Sequence, residues 1–417
     1  MKICVVGLGY IGLPTASILA TRGFNVIGMD TNPTIIDNGN CGKTDIEEVG
    51  LSTIVDAAVK SGRLRCQKDV AEVDAFIICV PTPITPEKKA DLSYVEAAGR
   101  AIASKLHKGN LVILESTVPP GTTNNVLRPI LEESGLIAGK DFHLAYCPER
   151  ILPGNLLNEL IKNDRIIGGI DEDSKTMAKK IYETFVEGNI YLTDSTTAEF
   201  VKLMENATRA VNIALSNEFA LIADEIGVNV LEAINLANKH PRIDILQPGA
   251  GVGGHCIPID PWFIVEKAIN KSKLIPLSMT INENMPLHVI SLIVDAFSEA
   301  KKEINGGKIS ILGVAYKGNV NDARESPAIS VIQKLKNMGA KVAIYDPFVT
   351  YFQFEIERDF KKTIFESDAL IILADHKQFK EMDLKKIKEM MNEKPILVDG
   401  RNVINDSNGF IFRGIGR

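Results

Sequence analysis

The sequence lacks the patterns typical of membrane-spanning, secreted or nucleic-acid-binding proteins. No apolar run reaches the roughly 20 residues that a transmembrane helix requires. Met1-Lys2 leads directly into an apolar, strand-like segment, so we expect no signal peptide. The net charge of −6 argues against binding to nucleic acid or to an anionic membrane. Any site for an anionic ligand must therefore be built locally from a few cationic side chains and backbone N–H groups.

The cysteines also lack the spacing of a disulfide framework or a metal site. No CxxC or Cys/His ligand pattern occurs, and the six residues are scattered: Cys4, Cys41, Cys66, Cys79, Cys147 and Cys256. This usage predicts free thiols in a reducing cytoplasm and no bound metal. Cys4 and Cys79 lie inside predicted buried strands, where they are interpreted as small core hydrophobes.

What the first part of the chain does contain is an alternation of apolar strands and helical segments. Five strands are predicted, at 3–7, 24–30, 74–80, 111–115 and 143–147. Continuous apolar strands separated by helices are typical of a parallel sheet that is covered on both faces. This part of the chain is therefore predicted to be a Rossmann-like, doubly wound domain.

The last third of the chain repeats this alternation. Four strands are predicted there, at 309–314, 341–346, 369–374 and 396–399. The segment 74–78, DAFII, resembles 368–372, DALII. The two ends are therefore predicted to be related α/β units, although the second lacks the full phosphate-binding fingerprint.

The length of 417 residues exceeds one ordinary core, so we expect two or three domains. The predicted fold class is α/β, with two Rossmann-like doubly wound domains joined by a central helical domain. We place the boundaries at residues 1–190, 191–300 and 301–417.

One long amphipathic helix is predicted in the central part, from Thr197 to about Ile226. Its apolar residues recur at steps of three and four: Phe200, Met204, Ala207, Val211, Leu215, Phe219, Ile222 and Ile226. About 30 residues at about 1.5 Å each give a helix of roughly 45 Å, longer than one domain requires. Such a helix links domains or packs against its copy in a dimer, and a plain core helix is the alternative.

A glycine-rich turn, Gly7-Leu8-Gly9-Tyr10-Ile11-Gly12, follows the first strand and opens a helix. Gly7 permits the tight turn, Gly9 lets the backbone approach a pyrophosphate, and Gly12 lets helix and strand pack closely. The pattern alone is weak evidence, but an acidic residue, Asp30, also ends the second strand. We therefore predict a dinucleotide site formed by this turn, including Tyr10 and Ile11.

Asp30 distinguishes between the two nicotinamide dinucleotides. Its carboxylate would accept hydrogen bonds from a ribose 2′-hydroxyl and repel a 2′-phosphate, so NAD is predicted. Thr82 and Thr117 follow two further strands at the same sheet edge, where ligands of open α/β sheets bind. They are candidate contacts for cofactor and substrate, and capping of the following turns is the alternative.

The segment Gly251-Val252-Gly253-Gly254-His255-Cys256 places a thiol on a glycine-rich turn. Glycines allow the backbone to come close to a ligand. Beside a dinucleotide domain, such a thiolate suggests aldehyde chemistry, because it can add to a carbonyl and later carry a thioester. A structural cysteine is the alternative, and His255 is either an activator of the thiol or simply packed beside it.

Three more polar residues are candidates for this chemistry. Lys202 and Asn206 lie four apart, on one face of the long helix, where they could stabilise an oxyanion. Glu149 follows the fifth strand and could activate water. Their alternative roles are those of solvated surface residues.

Together these motifs resemble the UDP-glucose/GDP-mannose 6-dehydrogenase family over nearly the whole chain. The ordered segments that carry the resemblance are GxGxxG from Gly7, VPTP from Val80, STVPPGTT from Ser116, PER from Pro148, FVKLxxN from Phe200, GVGGHCIPIDPWF from Gly251, AYKxNxxDxRESPA from Ala315 and DGRN from Asp399.

The resemblance implies an NAD-dependent, four-electron oxidation of a UDP-sugar alcohol to a carboxylate, with 2 NAD reduced. Cys256 would be the nucleophile, Lys202 and Asn206 the oxyanion contacts, and Asp260 a participant in proton transfer. Glu149 would assist thioester hydrolysis, and Thr117 would position water and substrate. It further implies that NAD binds the amino-terminal domain and the UDP group chiefly the carboxyl-terminal one.

The resemblance also implies ligand contacts outside these catalytic positions. Arg324 is assigned to the cofactor, and the substrate contacts are Glu149, Arg150, Lys202, Asn206, Arg242, Gly253, Lys317 and Arg401. Arg242 matches an arginine that enters the site from a neighbouring subunit, so a homodimer or higher homo-oligomer is expected. The family's second glutamate is replaced by Pro153 here, and its role is not carried over.

Within the family, three segments are most similar to the branch that oxidises UDP-N-acetyl-D-mannosamine. These are PERxxPG from Pro148, NDRIIGG from Asn163, and HPR from His240 leading to His255. Other UDP-N-acetylhexosamines and UDP-glucose stay open as substrates. A one-step NAD dehydrogenase of the β-hydroxyacid type and a non-catalytic sensor are the competing functions.

Overall fold

An eight-stranded sheet forms the centre of the first part of the chain in the computed structural model, which describes residues 1–151, 154–407 and 409–417. Its strands are β1 Lys2–Val6, β2 Asn25–Met29, β3 Leu64–Gln67, β4 Ala75–Ile78, β5 Leu111–Leu114, β6 His143–Tyr146, β7 Arg165–Gly169 and β8 Ile190–Asp194. The spatial order is β3-β2-β1-β4-β5-β6-β7-β8. The first six strands therefore have the order of a dinucleotide-binding Rossmann fold, as predicted.

Three of these strands were not predicted from the sequence. The edge strand β8 has three exposed positions, β3 contains Arg65 and Gln67, and β7 ends in two glycines, so none of them shows a continuous apolar run. Strand β7 runs antiparallel to β6, whereas every other neighbouring pair in the sheet is parallel. The predicted parallel sheet is thus extended by two strands of opposite direction, β7 and β8.

Successive residues of the central strands face opposite sides of the sheet, and both sides are buried. The central strands are therefore continuous apolar runs in the sequence. Ile3 and Val5 belong to the core on one face of the sheet, and Cys4 and Val6 belong to the core on the other. Each fully buried aliphatic side chain contributes about 1.5–3 kcal/mol to folding. Helices cover both faces: α1 Gly12–Thr21, α2 Pro33–Asn40, α3 Leu51–Lys60, α4 Ser93–Ala103, α5 Arg128–Glu132, α6 Leu156–Lys162 and α7 Glu172–Tyr182.

The carboxyl-terminal part contains a second, five-stranded parallel sheet. Its strands are β9 Lys308–Leu312, β10 Lys341–Tyr345, β11 Ala369–Ile372, β12 Ile396–Asp399 and β13 Ile411–Gly414, in the order β10-β9-β11-β12-β13. The four predicted strands are confirmed, and β13 adds an edge that its short, mixed sequence concealed. From residue 195 onward the described chain also forms helices α8 Ser195–Ile226, α9 Val230–Ala237, α10 Asp260–Lys267, α11 Leu274–Ala300, α12 Pro327–Asn337, α13 Phe360–Ile364, α14 Lys377–Lys380 and α15 Leu384–Met390.

The chain divides into two units, residues 1–205 with 262–269, and residues 206–261 with 270–417. Helix α8, 32 residues long, begins in the first unit and ends in the second. The division into three domains at 190 and 300 stays a prediction. Among the described residues, no helix has the length and apolar character needed to cross a membrane.

The apolar stripe predicted on the long helix is largely exposed. Phe219, Ile222 and Ile226 are 38%, 49% and 64% accessible, whereas the buried face of α8 carries small residues such as Ala210 and Ala214. A plain core helix would bury the larger side chains. The pattern therefore favours a helix whose stripe packs against something other than its own chain.

Candidate active site

The glycine turn after β1 has the geometry of a dinucleotide site. Gly7 has φ +91, in the left-handed region, and a Cβ at Gly12 would stand 1.8 Å from the carbonyl oxygen of Gly7. Both positions therefore exclude any side chain. A Cβ at Gly9 would meet nothing within 4 Å among the described residues. Glycine is thus unnecessary for packing at Gly9, but it leaves room for a pyrophosphate at the start of α1.

Asp30, at the end of β2, is held beside this turn. Its Oδ2 accepts a hydrogen bond from the backbone N–H of Leu8 at 2.8 Å, and its Oδ1 accepts one from Asn32 at 2.9 Å. The side chain stays half-buried, so its remaining lone pairs can receive ribose hydroxyls. These residues fit NAD, and they disfavour a 2′-phosphate.

The other residues predicted for the cofactor site lie in the same unit, except Arg324, which lies in the second unit. The Oγ1 of Thr82 is buried and has no hydrogen-bond partner among the described residues, as expected for a hydroxyl reserved for a ligand. Thr117 is half-buried and follows Ser116, whose hydroxyl donates to the carbonyl of Val80 at 2.6 Å. The hydroxyl of Tyr10 is used within the protein, since it donates to a carboxylate oxygen of Glu48.

Glu149 follows β6, and each of its two carboxylate oxygens has a partner within the protein. Its Oε1 accepts the backbone N–H of Arg150 at 2.5 Å, and its Oε2 pairs with Nη1 of Arg165 at 3.1 Å. The side chains of Glu149 and Arg165 are only 9% and 2% exposed. Arg150 itself pairs with Glu205 on α8 at 2.6 Å. Glu149, the predicted base, is therefore a buried carboxylate held in place by two contacts. The guanidinium of Arg150 is ion-paired with α8. Pro153, the departure from the family pattern, lies outside the described residues.

Helix α8 carries Lys202 and Asn206 one turn apart, as predicted. Lys202 is half-buried and has no ion-pair partner in the part of the chain that the structure describes. The amide of Asn206 donates to Oδ2 of Asp260 at 2.6 Å. Asp260 begins α10, and its backbone N–H donates to the carbonyl of Cys256 at 2.8 Å. Two candidate residues 54 positions apart are thus in direct contact, next to the turn of the candidate nucleophile.

The glycine turn that leads to Cys256 packs tightly in the second unit. A Cβ at Gly253 would lie 2.7 Å from the Cβ of Tyr316, and Gly254 has φ +86. The backbone N–H of Gly254 donates to the carbonyl of Arg324 at 3.0 Å. The thiol-bearing turn and the AYK…RES segment therefore meet, while Cys256 itself stays exposed in the isolated chain.

Arg324 is fixed in this segment by a two-point ion pair with Asp322. Its Nε and Nη2 lie 3.0 and 2.7 Å from the two carboxylate oxygens. Burial acts against the charge of Asp322, but hydrogen bonds from Arg324 lower the pKa of this carboxyl below its usual value. Lys317 is exposed in the same loop. Ser326 then caps α12 by accepting the N–H of Ala328, which ends the loop.

Arg401, of the DGR motif, lies in the same unit. Its Nη2 is 3.2 Å from Oδ1 of Asp375, and its Nη1 would be 3.2 Å from a Cβ at Gly249. The motif therefore adjoins the chain that leads into the Cys256 turn. Arg242, which the family resemblance places at a subunit boundary, is exposed.

Several residues of these sites were not predicted. Arg165 was noted only within the NDRIIGG segment, without a role, and Asp322 only as part of a motif. Asp375 and Glu48 carried no signal, because each contacts its partner over a long separation in sequence. The ion pair of Asp375 with Arg401 and the hydrogen bond from Tyr10 to Glu48 become visible only in the folded chain.

Comparison with known proteins supports the sequence motifs along the chain. Residues 1–186 match the NAD binding domain of the UDP-glucose/GDP-mannose dehydrogenase family, 196–284 its central domain, and 310–406 its UDP binding domain. The cofactor predicted from the glycine turn and Asp30, NAD, is confirmed by the first match.

Individual relatives cover almost the full length. A UDP-N-acetyl-D-mannosamine dehydrogenase of Methanocaldococcus jannaschii is 50% identical over 97% of this chain and 93% of its own. An NDP-N-acetyl-D-galactosaminuronic acid dehydrogenase of Ralstonia nicotianae is 44% identical over 93% of each chain. The structure of UDP-D-ManNAc dehydrogenase from Pyrococcus horikoshii is similar with a TM-score of 0.96, at 44% identity, over 100% of this chain and 99% of that one. The chain belongs to the UDP-glucose/GDP-mannose dehydrogenase family.

Proposed function

We propose that this enzyme oxidises the C6 alcohol of UDP-N-acetyl-D-mannosamine to a carboxylate, with two NAD reduced for each sugar. The observation that carries the proposal is the position of Cys256 on its glycine-rich turn. The N–H of Gly254 in this turn donates to the carbonyl of Arg324, and the carbonyl of Cys256 accepts the N–H of Asp260, which in turn contacts Asn206. A one-step alcohol dehydrogenase requires no such thiol. The choice of sugar rests on the names of relatives such as the M. jannaschii protein.

Bound NAD supplies the hydride acceptor in each of the two oxidations. After the first, the Cys256 thiolate adds to the aldehyde carbon, which forms a C–S bond and a hemithioacetal oxyanion. Lys202 and the amide of Asn206 stabilise this oxyanion. The hemithioacetal keeps the reactive aldehyde covalently held while the cofactor is exchanged, and loss of the second hydride then leaves a thioester.

Water then releases the product. Glu149 takes a proton from the attacking water, the C–S bond breaks, and the sulfur leaves as a thiolate that is reprotonated. Thr117 positions the water and substrate, and Asp260, held by the amide of Asn206, takes part in proton transfer. Lys317 and Arg401 provide the cationic groups that an anionic sugar nucleotide requires, and Arg324 contacts the cofactor.

Replacement of Cys256 tests the covalent mechanism. Cys256→Ala should bind NAD and the UDP-sugar with unchanged affinity but form no uronate, whereas Cys256→Ser should accumulate an ester that mass spectrometry detects. Cys41→Ala, at another exposed thiol, is the matched control and should behave as wild type. Full turnover by Cys256→Ala, or one NADH per sugar in the wild type, would refute the proposal.

One other sugar is a specific alternative to N-acetyl-D-mannosamine in the substrate. The R. nicotianae relative acts, by its name, on an N-acetyl-D-galactosaminuronic acid derivative at 44% identity. A panel of UDP-N-acetylmannosamine, UDP-N-acetylglucosamine, UDP-N-acetylgalactosamine and UDP-glucose, read by product mass and kcat/KM, should favour the first by at least about tenfold. A higher kcat/KM for another sugar would replace our assignment.

The enzyme should act as a homodimer or a higher homo-oligomer. The exposed stripe of Phe219, Ile222 and Ile226 supplies the apolar surface, and exposed Arg242 would reach the site of a second copy. Ile222→Asp should weaken association in gel filtration and sedimentation, with activity falling in parallel. A fully active monomer would contradict this assembly. Six free thiols are compatible with the reducing cytoplasm that we propose as its location.

A further inference from the structure

The segment that carries Cys256 is attached to helix α8 at both of its ends by asparagine side chains. At the end of the segment, the amide of Asn206 donates to Oδ2 of Asp260 at 2.6 Å. At its start, the backbone N–H of Gly249 donates to Oδ1 of Asn217 at 3.0 Å. The first contact belongs to the mechanism proposed above, whereas Asn217 has no role in it.

The two asparagines lie on the same face of α8. They are about three helical turns apart, which places them about 16 Å from one another along the helix axis. The chain from 249 to 260 could span about 36 Å if it were extended. It therefore curves between its two attachment points, and the position of Cys256 within it depends on both of them.

Asn217 is itself held in place by Asn282 of helix α11. Nδ2 of Asn217 donates to Oδ1 of Asn282 at 2.9 Å, and Nδ2 of Asn282 donates to the carbonyl of Ala210 on α8 at 3.0 Å. Asn217 is 0% exposed and Asn282 is 4% exposed. A buried amide is costly unless it is hydrogen-bonded, so these contacts fix the orientation in which Asn217 accepts the N–H of Gly249.

Asn282 also adjoins the segment through its backbone. A Cβ at Gly251 would lie 3.3 Å from the carbonyl oxygen of Asn282. Pro286 lies four residues further along α11 and has no N–H, so it cannot donate the usual helical hydrogen bond to this carbonyl. The carbonyl that lacks its usual helical donor is thus the one that lies beside Gly251. Helices α8 and α11 therefore both contact the start of the segment.

We propose that Asn217 and Asn282 are positioning residues for the covalent step. They hold the start of the Cys256 segment on the same helix that carries the oxyanion contact Asn206, so the thiol and that amide are both positioned by α8. A misplacement of about 1 Å can cost about 100-fold in rate. Loss of this anchor should therefore impair the attack of the thiolate on the aldehyde. The inference rests on the proposed function, in which Cys256 forms the hemithioacetal.

The test separates the two oxidations, because only the second requires the thiol. The full enzyme, in excess, is mixed rapidly with NAD and UDP-N-acetylmannosamine. In Asn217→Ala, the first NADH should form within about threefold of the wild-type rate, whereas the second NADH and the uronate should form at least about tenfold more slowly. Semicarbazide, which condenses with a free aldehyde, should trap the sugar aldehyde in this variant and not in the wild type.

A second readout does not depend on activity. In hydrogen exchange of the free enzyme, followed by mass spectrometry, peptides that cover 249–260 should exchange at least about tenfold faster in Asn217→Ala, because the N–H of Gly249 loses its acceptor. Ser216→Ala is the matched control. Ser216 is also 0% exposed on α8, but its hydroxyl donates to the carbonyl of Ile213 at 2.8 Å, within the helix. This control should keep the wild-type exchange of 249–260 and two NADH per sugar.

Asn282→Ala tests the second member of the pair. It keeps the acceptor for Gly249 but removes the amide that orients Asn217. The second oxidation should therefore slow in the same way as in Asn217→Ala, but less. This variant decides the question if Asn217→Ala does not fold.

The outcomes distinguish this inference from the proposed function. Formation of the second NADH at the wild-type rate in Asn217→Ala, or in Asn282→Ala when the former is unfolded, overturns the inference alone. An equal loss in both oxidations also overturns it, as does the same pattern in Ser216→Ala, because general packing would then explain the effect. One NADH per sugar in the wild type overturns the proposed function instead, and the exchange of 249–260 still reports whether Asn217 holds the segment.

Discussion

Replacing Asp346 by Asn should destabilise the second unit by about 2 kcal/mol near neutral pH, and this loss should vanish in acid. Asp346 follows β10 and is 1% exposed. Its oxygens accept five hydrogen bonds: from backbone N–H groups of Val314, Ala315, Phe348 and Val349, and from Nε2 of His376. An amide cannot accept at both ends, so Asn leaves some of these donors unpaired.

The magnitude follows from the pKa of this carboxyl. Burial acts to raise it, but the bond from His376 and those from Val349 and Val314 prevail and lower it from 3.8 to about 2. A difference of about 1.8 units, at about 1.36 kcal/mol each, corresponds to about 2.4 kcal/mol. Because the pKa is lowered in the folded state, this stability is present above pH 3.8 and is lost as the pH falls to about 2.

The assay is thermal unfolding of wild type and Asp346→Asn between about pH 6 and about pH 2. For a unit of roughly 200 residues, 2.4 kcal/mol corresponds to a difference in Tm of about 5–10 °C at the upper end. The difference should become small at the lower end, where the pH reaches the pKa of Asp346 and the carboxyl is half protonated. Asp244→Asn, at an exposed aspartate, should change the stability by no more than about 0.5 kcal/mol.

A difference in Tm that stays constant across this pH range would refute the reasoning, since the amide would then differ from the carboxyl for reasons other than charge. The same variant should raise KM for the UDP-sugar. The N–H groups of Val314 and Ala315 that Asp346 binds lead directly into the loop of Lys317, and Nδ1 of His376 accepts the N–H of Asn319 in that loop at 2.8 Å.

Three other predictions concern the first unit. Gly12→Ala should abolish NAD binding or folding, measured by NAD titration and circular dichroism, because its Cβ would overlap the carbonyl oxygen of Gly7. Asp30→Ser should lower kcat/KM for NAD by at least about tenfold and raise that for NADP, and an unchanged ratio would exclude its role as a ribose acceptor. Glu199, buried on α8, accepts the N–H and hydroxyl of Thr123 at 2.7 and 2.6 Å. Glu199→Gln should cost about 1.5–3 kcal/mol in urea unfolding, whereas equal stability would show that these bonds contribute nothing net.

The fold was predictable where the chain is buried on both sides. Strands β1, β4, β5, β9 and β11 lie inside their sheets, so nearly every residue is apolar and the run is unmistakable. Strands β3, β8 and β13 lie at sheet edges, where one face or one side meets solvent and the apolar run is broken. Their existence depends on a neighbour to pair with, which a local pattern does not reveal.

For the long helix the local pattern predicted the element itself but not its surroundings. Its length and periodicity were evident from the sequence, and the helix Ser195–Ile226 confirms them. Which face is buried was not evident, because a stripe of Phe219, Ile222 and Ile226 looks the same whether it meets its own core or another molecule. The structure places small residues inside and that stripe outside.

The sequence by itself determined the dinucleotide turn, the acidic residue after β2 and the glycine-borne thiol, because each depends on backbone sterics within a few residues. Only the tertiary structure decided which partners those groups have. Asn206 meets Asp260 across 54 residues, and Glu115 meets Tyr182 across 67. Such pairs depend on strand order and helix packing, which bring distant polar groups together in a poorly solvated interior where their hydrogen bonds are strong.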